Sequence, residues 1–500
     1  MTATGQRSIV ALGLACGLVL VPTGLAAQSQ PVPLTPASRQ DYEPATQDPG
    51  FHTKPPHQGT RRIIDQSYDG VDFLGSNCGC LPPDTNAAVG NGYIVETVNV
   101  QIRIFDKATG SILLDEPLET FFGSHSDGDV YVVYDDTADR WYVSAFDSTE
   151  EGLFLAVSKD GNPLHGFLPT YHLTDVGGFP DYQKPGFNED AIFISYNDFG
   201  SGGAAATIVS IDKVAALSGT LRHFVSHPEF QFRAMPPAQM HSSKDRDWER
   251  LHPQEKGGVE WFVSTDGTDA GGISIRVTKM TDYLSVTPSF TYTSLPVSEY
   301  RYATKADQPG GSITTSPNTT TTQVQYHKGH LVTAMASSTA QDGFVYPKGQ
   351  VYQIDVSNGW PTLLKQDVID PGDGVAVQIP SVDEDENGNL GLAWMESSNT
   401  EYLSMWVGIL GHITGRLVTS VAAPGGGFFL FNSRIGDYST TVLDPADSGT
   451  FWSANEYIGD GGSSNIWRTH IASFRFPEEK LLSLDAGPCS VVRASMIVFS

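Results

Sequence analysis

Apolar and polar residues alternate with period two along most of this chain, in short runs broken by Gly, Asp or Asn turns. That pattern predicts half-buried β-strands rather than helices. One arrangement recurs seven times: a turn, then an apolar strand that ends on a polar residue. The copies run from Asn91 to Asn99, Asp139 to Asp147, Glu189 to Asn197, Gly258 to Asp266, Gly329 to Ser337, Gly388 to Glu396 and Gly449 to Glu456. Successive copies begin about 48 to about 72 residues apart, which suits one four-stranded unit of a radial repeat carrying insertions.

Each copy is flanked by further strands. Val130 to Tyr134 and Tyr438 to Leu443 precede a copy, whereas Gln101 to Phe105, Leu153 to Val157, Thr207 to Ile211, Ile273 to Val277, Val351 to Ile354 and Tyr402 to Val407 follow one. No amphipathic helix stands out. The expected fold is all-β, a seven-bladed β-propeller closed by an N-terminal strand. The last blade runs out after Trp467 to Phe474, and the segment from Arg61 to Asp65, or on through Phe73, would complete it and remove an exposed edge. The division along the chain is a signal peptide over 1–27, a linker over 28–60 rich in Pro, Gln, Ser and Thr, the propeller over 61–478 and a tail over 479–500.

Charge changes the picture of partners. The chain has 57 acidic against 30 basic residues, a net charge of −27. Nucleic acid is excluded as a partner because phosphate binding needs Lys/Arg clusters that are absent from the sequence. Arg7, the apolar run from Ile9 to Val21 and Gly24-Leu-Ala-Ala27 read as an export signal cut after Ala27, so the expected location is extracellular or periplasmic. No later stretch approaches the ~18 apolar residues of a membrane span. With Cys16 removed, Cys78, Cys80 and Cys489 remain, and a structural disulfide is expected among them with its pairing open. A monomer is the expected working unit.

Candidate chemistry gathers where inner strands begin and second strands end, because those positions meet around the channel of a propeller. The inner-strand starts supply Asp84, Asn86, Asp129, Asp181, Tyr182, Lys184, Arg434, Asp437 and Tyr438. The second strands end at Asn99, Asp147, Asn197, Asp198, Asp266, Glu396, Glu456 and Tyr457. Asp84, Asp181, Tyr182, Lys184, Arg434, Asp437 and Tyr438 are the catalytic candidates: paired carboxyls would suit glycoside hydrolysis, and a Tyr beside a cation would suit β-elimination from a uronic acid. A sialidase would need three arginines on the substrate carboxylate, and Arg434 alone starts an inner strand. The remaining ring residues are candidates for ligand binding, and inner-strand Asp and Ser also commonly satisfy crowded backbone N–H groups.

Asp383, Asp385 and Asn387 follow the first half of a calcium loop, D-x-D-x-N-G, and the same string serves as a hairpin turn. Calcium is the one cofactor this suggests. Asn318 and the run Thr319 to Thr322 read as an exposed loop, and His327 and His330 as flanks of a surface turn at Lys328-Gly329. Three functions therefore remain open: a secreted module binding an extracellular glycan or other polymer, a glycan-cleaving enzyme on the same face, and a protein-interaction scaffold.

The strings Pro82-Pro-Asp-Thr-Asn-Ala-Ala-Val-Gly90, Tyr134-Asp-Asp-Thr-Ala-Asp-Arg-Trp141, Pro180-Asp-Tyr-Gln-Lys184, Pro380-Ser-Val-Asp-Glu-Asp385 and Gly436-Asp-Tyr-Ser439 occur in one order over roughly residues 78 to 460. On them the chain resembles a family of secreted bacterial β-propeller proteins with sialidase-like blade grammar. The resemblance implies a propeller fold and a secreted context. A clean Asp-box, S-x-D-x-G-x-x-W, is missing; Ser381 to Trp394 is a loose relative.

Overall fold

The computed structural model describes residues 63–476 apart from 125, 127, 149–151, 201–204, 229–234, 243–256, 267–269, 304, 316–318, 341–342, 430–433 and 460–466. The segments read from the sequence as signal peptide, linker and tail, with Cys489 and Asn318, lie outside the described residues. Among those residues the chain is nearly all strand, with two five-residue helices, Leu118–Phe122 and Lys213–Leu217.

Strands follow one another as antiparallel meanders. The first comprises Thr85–Val89, Tyr93–Val98, Gln101–Asp106 and Ile112–Pro117, and the second Gly128–Asp135, Arg140–Asp147, Gly152–Val157 and Tyr171–Leu173. Ala376–Glu384, Leu390–Ser398, Glu401–Leu410 and Leu417–Ala423 make another four-stranded sheet. The span between them, from Pro180 to Ile369, joins into one twelve-stranded sheet. One joint is the short inner strand Ala238–Met240, which pairs in parallel with Phe187 on one side and with Val324–Tyr326 on the other; the second is the pairing of Tyr300 and Arg301 with Thr339 and Ser338. The sequence expectation of separate blades did not foresee this fusion.

Burial falls from the inside outward. Thr85–Val89 is buried at every position, while Ile112–Pro117 alternates between exposed and half-buried. Inner strands are covered on both faces, polar positions included: Thr85 and Asn86 are buried with Ala87, Ala88 and Val89. The apolar clusters lie between consecutive meanders. Ala88, Val95 and Ile104 meet Val132, Trp141 and Phe154; Tyr142 and Leu153 meet Ile192 and Val209; Val332 and Val351 meet Leu392 and Trp394; Met405 and Val407 meet Phe451 and Phe474. Finally Trp452 and Ile471 of the last sheet meet Ile94 and Phe105 of the first. The packing therefore closes on itself in a propeller-like ring.

The closing strand is the expected one. Ile64–Asp72 pairs antiparallel with Trp467–Arg475 and completes the sheet of Thr440–Leu443 and Thr450–Ile458. The buried Glu96 fastens it, accepting from the Val71 N–H at 3.0 Å and from Thr469 Oγ1 at 2.6 Å. A Cβ on Gly70 would lie 2.2 Å from Thr469 Oγ1 and 2.3 Å from Glu96 Oε1, so only glycine lets the strand approach this carboxylate.

Two polar segments lie deeper than their composition suggested. Thr319 and Thr321 are buried, and the hydroxyls of Thr321 and Thr322 donate to the carbonyls of Val263 and Pro380. The run expected as an exposed loop instead bonds the neighbouring strand groups together. His327 and His330 do flank a hairpin turn at Lys328-Gly329, but His327 is 7% exposed and bonds Asp383 at 2.8 Å.

Asn86 ties three inner strands. Its Nδ2 donates to Thr440 Oγ1 and its Oδ1 accepts from the Val132 N–H, both at 2.7 Å. Asn86→Ala strands the Val132 N–H without an acceptor, a loss of about 2 kcal/mol. A lower urea midpoint at unchanged slope is the expected result.

Candidate functional site

Three inner strands carry a β-bulge near their start. The register slips between Gly128 and Tyr131, between Asp181 and Lys184, and between Gln378 and Ser381. Within each slip one non-glycine residue takes positive φ: Asp129 at 46°, Tyr182 at 58° and Ile379 at 42°. Each such residue costs on the order of 1–2 kcal/mol, and a bulge re-aims the side chains that follow it. Asp129 holds the second bulge in place, since its Oδ2 accepts from the Tyr182 N–H at 3.0 Å and its carbonyl accepts from Gln183 Nε2.

These bulges bring residues from four sheets together. Lys184 is 1% exposed, with its Nζ 3.4 Å from the ring centroid of Tyr182 and 3.9 Å from that of Tyr438. The rings of Tyr182 and Tyr438 lie 5.1 Å apart, and Tyr131 stands edge-on to Tyr438 at 5.7 Å. Around this cage stand Asp84, held by Asn99 Nδ2 at 2.6 Å, and Asp437, paired with Arg434 at 2.7 Å. Tyr182 Oη donates to the Asp437 carbonyl at 3.2 Å, and Glu456 Oε2 accepts from the Gly436 N–H at 2.8 Å. Asp181 shares a side-chain hydrogen bond with Asp129.

Six buried polar atoms at this mouth make no hydrogen bond among the described residues: Lys184 Nζ, Asp437 Oδ1, Tyr438 Oη, Glu456 Oε1, Asn99 Oδ1 and Gln183 Oε1. Buried polar groups normally find partners, and each one left without costs about 1–3 kcal/mol. Such a concentration suits a surface built to meet a ligand rather than one built for stability.

Electrostatics follow from burial and crowding. Burial pushes Lys184 down to about 7, against the pull of Asp129, Asp437, Asp181 and Asp84. Burial lifts Asp437 to about 7 although Arg434 opposes it, and burial with Asp129 lifts Asp181 to about 6. Asp84 is driven well above the carboxylate range by burial, Asp129 and Asp437. Burial raises Glu456 to about 8. The mouth thus carries carboxyls able to hold a proton at neutral pH, both to donate hydrogen bonds and to act as acids.

The other candidates are placed elsewhere or occupied differently. Asp147 pairs with His172 at 3.1 Å, and Asp198 Oδ1 accepts from the Gly178 and Gly200 N–H groups at 2.9 Å. Asn197 lies opposite Asp181 in the ladder. Asp266 is bonded to Arg276 and Ser274, Glu396 accepts from Trp394 Nε1 at 2.7 Å, and Tyr457 stands edge-on to His470. Asp383 is bonded to His327 and to the Leu443 N–H. Asp385 accepts from the Asn387 and Asn389 N–H groups within the hairpin turn that joins its two strands. Among the described residues no three His, Cys, Asp or Glu side chains are grouped to hold a metal. Cys78 and Cys80 are joined to each other.

Sequence reasoning did not single out Tyr131 or Gln183. Both lie within one position of a residue's place in the bulge pattern, so aligning the inner strands on their bulges is the signal that finds them. At the other end of the channel, His241 and His327 stack at 5.4 Å, with Asp136 and Asp383 as their acid partners.

No family model matches the chain, and no curated protein matches it. Among solved structures it is similar to U3-55K at 12% identity, covering 83% of this chain and 99% of that one, with a TM-score of 0.40. It is similar to a protein of unknown function from Dyadobacter fermentans DSM 18053 at 11% identity over 82% and 99%, TM-score 0.38. The WD40 domain of SCAP from fission yeast is 11% identical over 79% and 95%, TM-score 0.34. With TM-scores below 0.5 these likenesses carry no argument about activity, and the propeller-like, all-β fold rests on the strand pairing and the closed ring of packing.

Proposed function

We propose that the chain is a secreted seven-bladed propeller, its twelve-stranded sheet counting as three blades, whose channel mouth binds an extracellular neutral glycan or similar polyhydroxylated polymer. The carrying observation is the set of buried, unpartnered polar atoms around the tyrosine-caged Lys184. Carboxyls, amides and tyrosine hydroxyls are the groups that exchange hydrogen bonds with sugar hydroxyls, and the half-buried Tyr182 adds apolar ring surface. The state of the two cations decides the ligand's charge. The cations set among Asp84, Asp129, Asp181 and Asp437 are Lys184, enclosed by rings, and Arg434, already paired with Asp437. Neither cation is open to a uronate or sialic carboxylate, so neutral chains fit better than acidic ones. Among the described residues no helix is long and apolar enough to cross a membrane.

Calorimetric titration with neutral gluco-, xylo- and manno-oligosaccharides tests this. Binding of at least one series is expected, weakened about tenfold, or about 1.4 kcal/mol, by Tyr182→Ala. Affinity untouched by Tyr182→Ala would remove the mouth from consideration.

Glycoside hydrolysis on the same face is the second reading, favoured by Asp437 and Asp181, whose carboxyls titrate near the pH of use. New reducing ends from a bound oligosaccharide, lost in Asp437→Asn, would establish it; intact oligosaccharide after prolonged incubation would leave binding alone.

A further inference from the structure

A second, chemically different cleft lies away from the channel, between the strands Glu260–Thr265, Gly271–Thr281 and Ser289–Arg301 and the turn that precedes Thr362–Ile369. We infer that this cleft is a binding site for an acidic saccharide, a sugar chain bearing carboxylate groups.

The argument begins with the strand register. Trp261 lies opposite Lys279, and Lys279 opposite Thr291, so the three form one cross-strand row. Thr281 and Thr293 flank that row on the same face. From the neighbouring meander the turn at Asn358-Gly359-Trp360 projects over it, enclosing a cleft of about 350 Å³, within the usual range of small-ligand sites of roughly 300–1,000 Å³.

Trp360 is 69% exposed, a large apolar surface left in water on a fixed turn. The turn is held by the Gly359 N–H donating to the Val356 carbonyl at 2.8 Å and by the Val356 N–H donating to the Gly329 carbonyl at 2.7 Å. A platform fixed in advance loses little freedom on binding. Gly359 adopts φ of 75°, and a Cβ there would come within 3.5 Å of Lys279 Nζ. The positive φ, not lack of space, is what favours glycine there.

Lys279 is the second part of the case. In a chain with 57 acidic residues it has no carboxylate partner among the described residues, and its Nζ lies 5.4 Å from the centroid of the Trp261 ring. One open cation suits one carboxylate at a time and is too little for a polyphosphate. Three threonine hydroxyls and the Asn358 amide match the hydroxyls of a pyranose, while the Trp360 ring matches its C–H face. The cleft thus offers the open cation that the channel mouth lacks, and the inference stands whether or not the mouth binds glycan.

The test is titration of the full chain with tetragalacturonate and with its methyl ester, followed by Trp fluorescence and calorimetry. The acid form is expected to bind, and the neutral ester on the order of tenfold more weakly. Trp360→Ala is expected to weaken tetragalacturonate on the order of tenfold and to leave neutral oligosaccharide binding at the channel mouth as it was. Lys279→Gln is expected to abolish the preference for the acid form. No binding at millimolar tetragalacturonate, equal binding of acid and ester, or full affinity in both variants would each overturn the inference.

Discussion

Thermal stability is expected to fall as pH rises from 5 to 7, the reverse of the usual behaviour of a protein held by salt-bridged carboxylates. Glu96, Glu396 and Glu456 are raised by burial to about 7, about 8 and about 8, whereas in an unfolded chain glutamate titrates near about 4.3. Between those values the folded protein holds protons that the unfolded chain has released. Stability is therefore full below the unfolded value and declines as pH climbs toward the folded one. His241 acts with the same sign. Burial would lower it, but the carboxylates of Asp136 and Asp383 hold it up to about 9, so its contribution also fades as pH rises. Lys184, lowered by burial to about 7, works the other way, regaining stability only above that value.

Each pKa unit is worth about 1.4 kcal/mol, and the three glutamates together supply on the order of 5 kcal/mol after allowance for relaxation around them. For roughly 400 ordered residues at about 2.1 cal/mol/K each, this is about 6 °C in Tm. Calorimetry at pH 5, 6 and 7 reads it directly, and Glu96→Gln should flatten the slope. A Tm that is level or rising over this range would show that these carboxyls are ionised in the folded protein.

Removal of everything before Phe73 is expected to abolish the cooperative fold rather than weaken it. The truncated chain would expose Trp467–Arg475 as an unpaired edge, and Glu96 would lose the Val71 N–H that it accepts. A nine-residue strand opened along one edge is a template for pairing with another copy. The expected result is self-association in light scattering, with loss of a single sharp melting transition. A peptide spanning residues 61–74, added in trans, should restore the monomer. A truncated protein that stays monomeric and melts like the parent would show that the closing strand is dispensable.

Much of this architecture was legible because period-two alternation and Gly/Asp turns are local signals. The strand from Leu390 to Ser398, for example, is written in full by its own residues and the turn before it. The mouth was partly legible for the same reason: Asp84, Tyr182, Lys184, Arg434, Asp437 and Tyr438 all sit near inner-strand starts. What could not be read was decided by neighbours remote in sequence. Lys184 is buried because Tyr438, from another sheet, closes over it. The Thr319 to Thr322 run is polar by composition, yet its hydroxyls are satisfied by carbonyls of Val263 and Pro380, so polarity did not mean exposure. The fusion of three meanders depends on the three-residue strand Ala238–Met240, too short to show any period, and on a two-residue pairing of Tyr300 and Arg301 with Thr339 and Ser338.

The closing pair also fixes how the molecule answers to force. Ile64 lies opposite Phe474, so the chain enters the last sheet beside the point where it leaves. A load applied between the two ends would open the ladder one rung at a time, starting at Ile64, instead of shearing all rungs together. Each rung is a hydrogen bond of net strength about 1 kcal/mol. Tension at the ends therefore unzips the ring at its seam, and the interior sheets feel it only after the seam has parted.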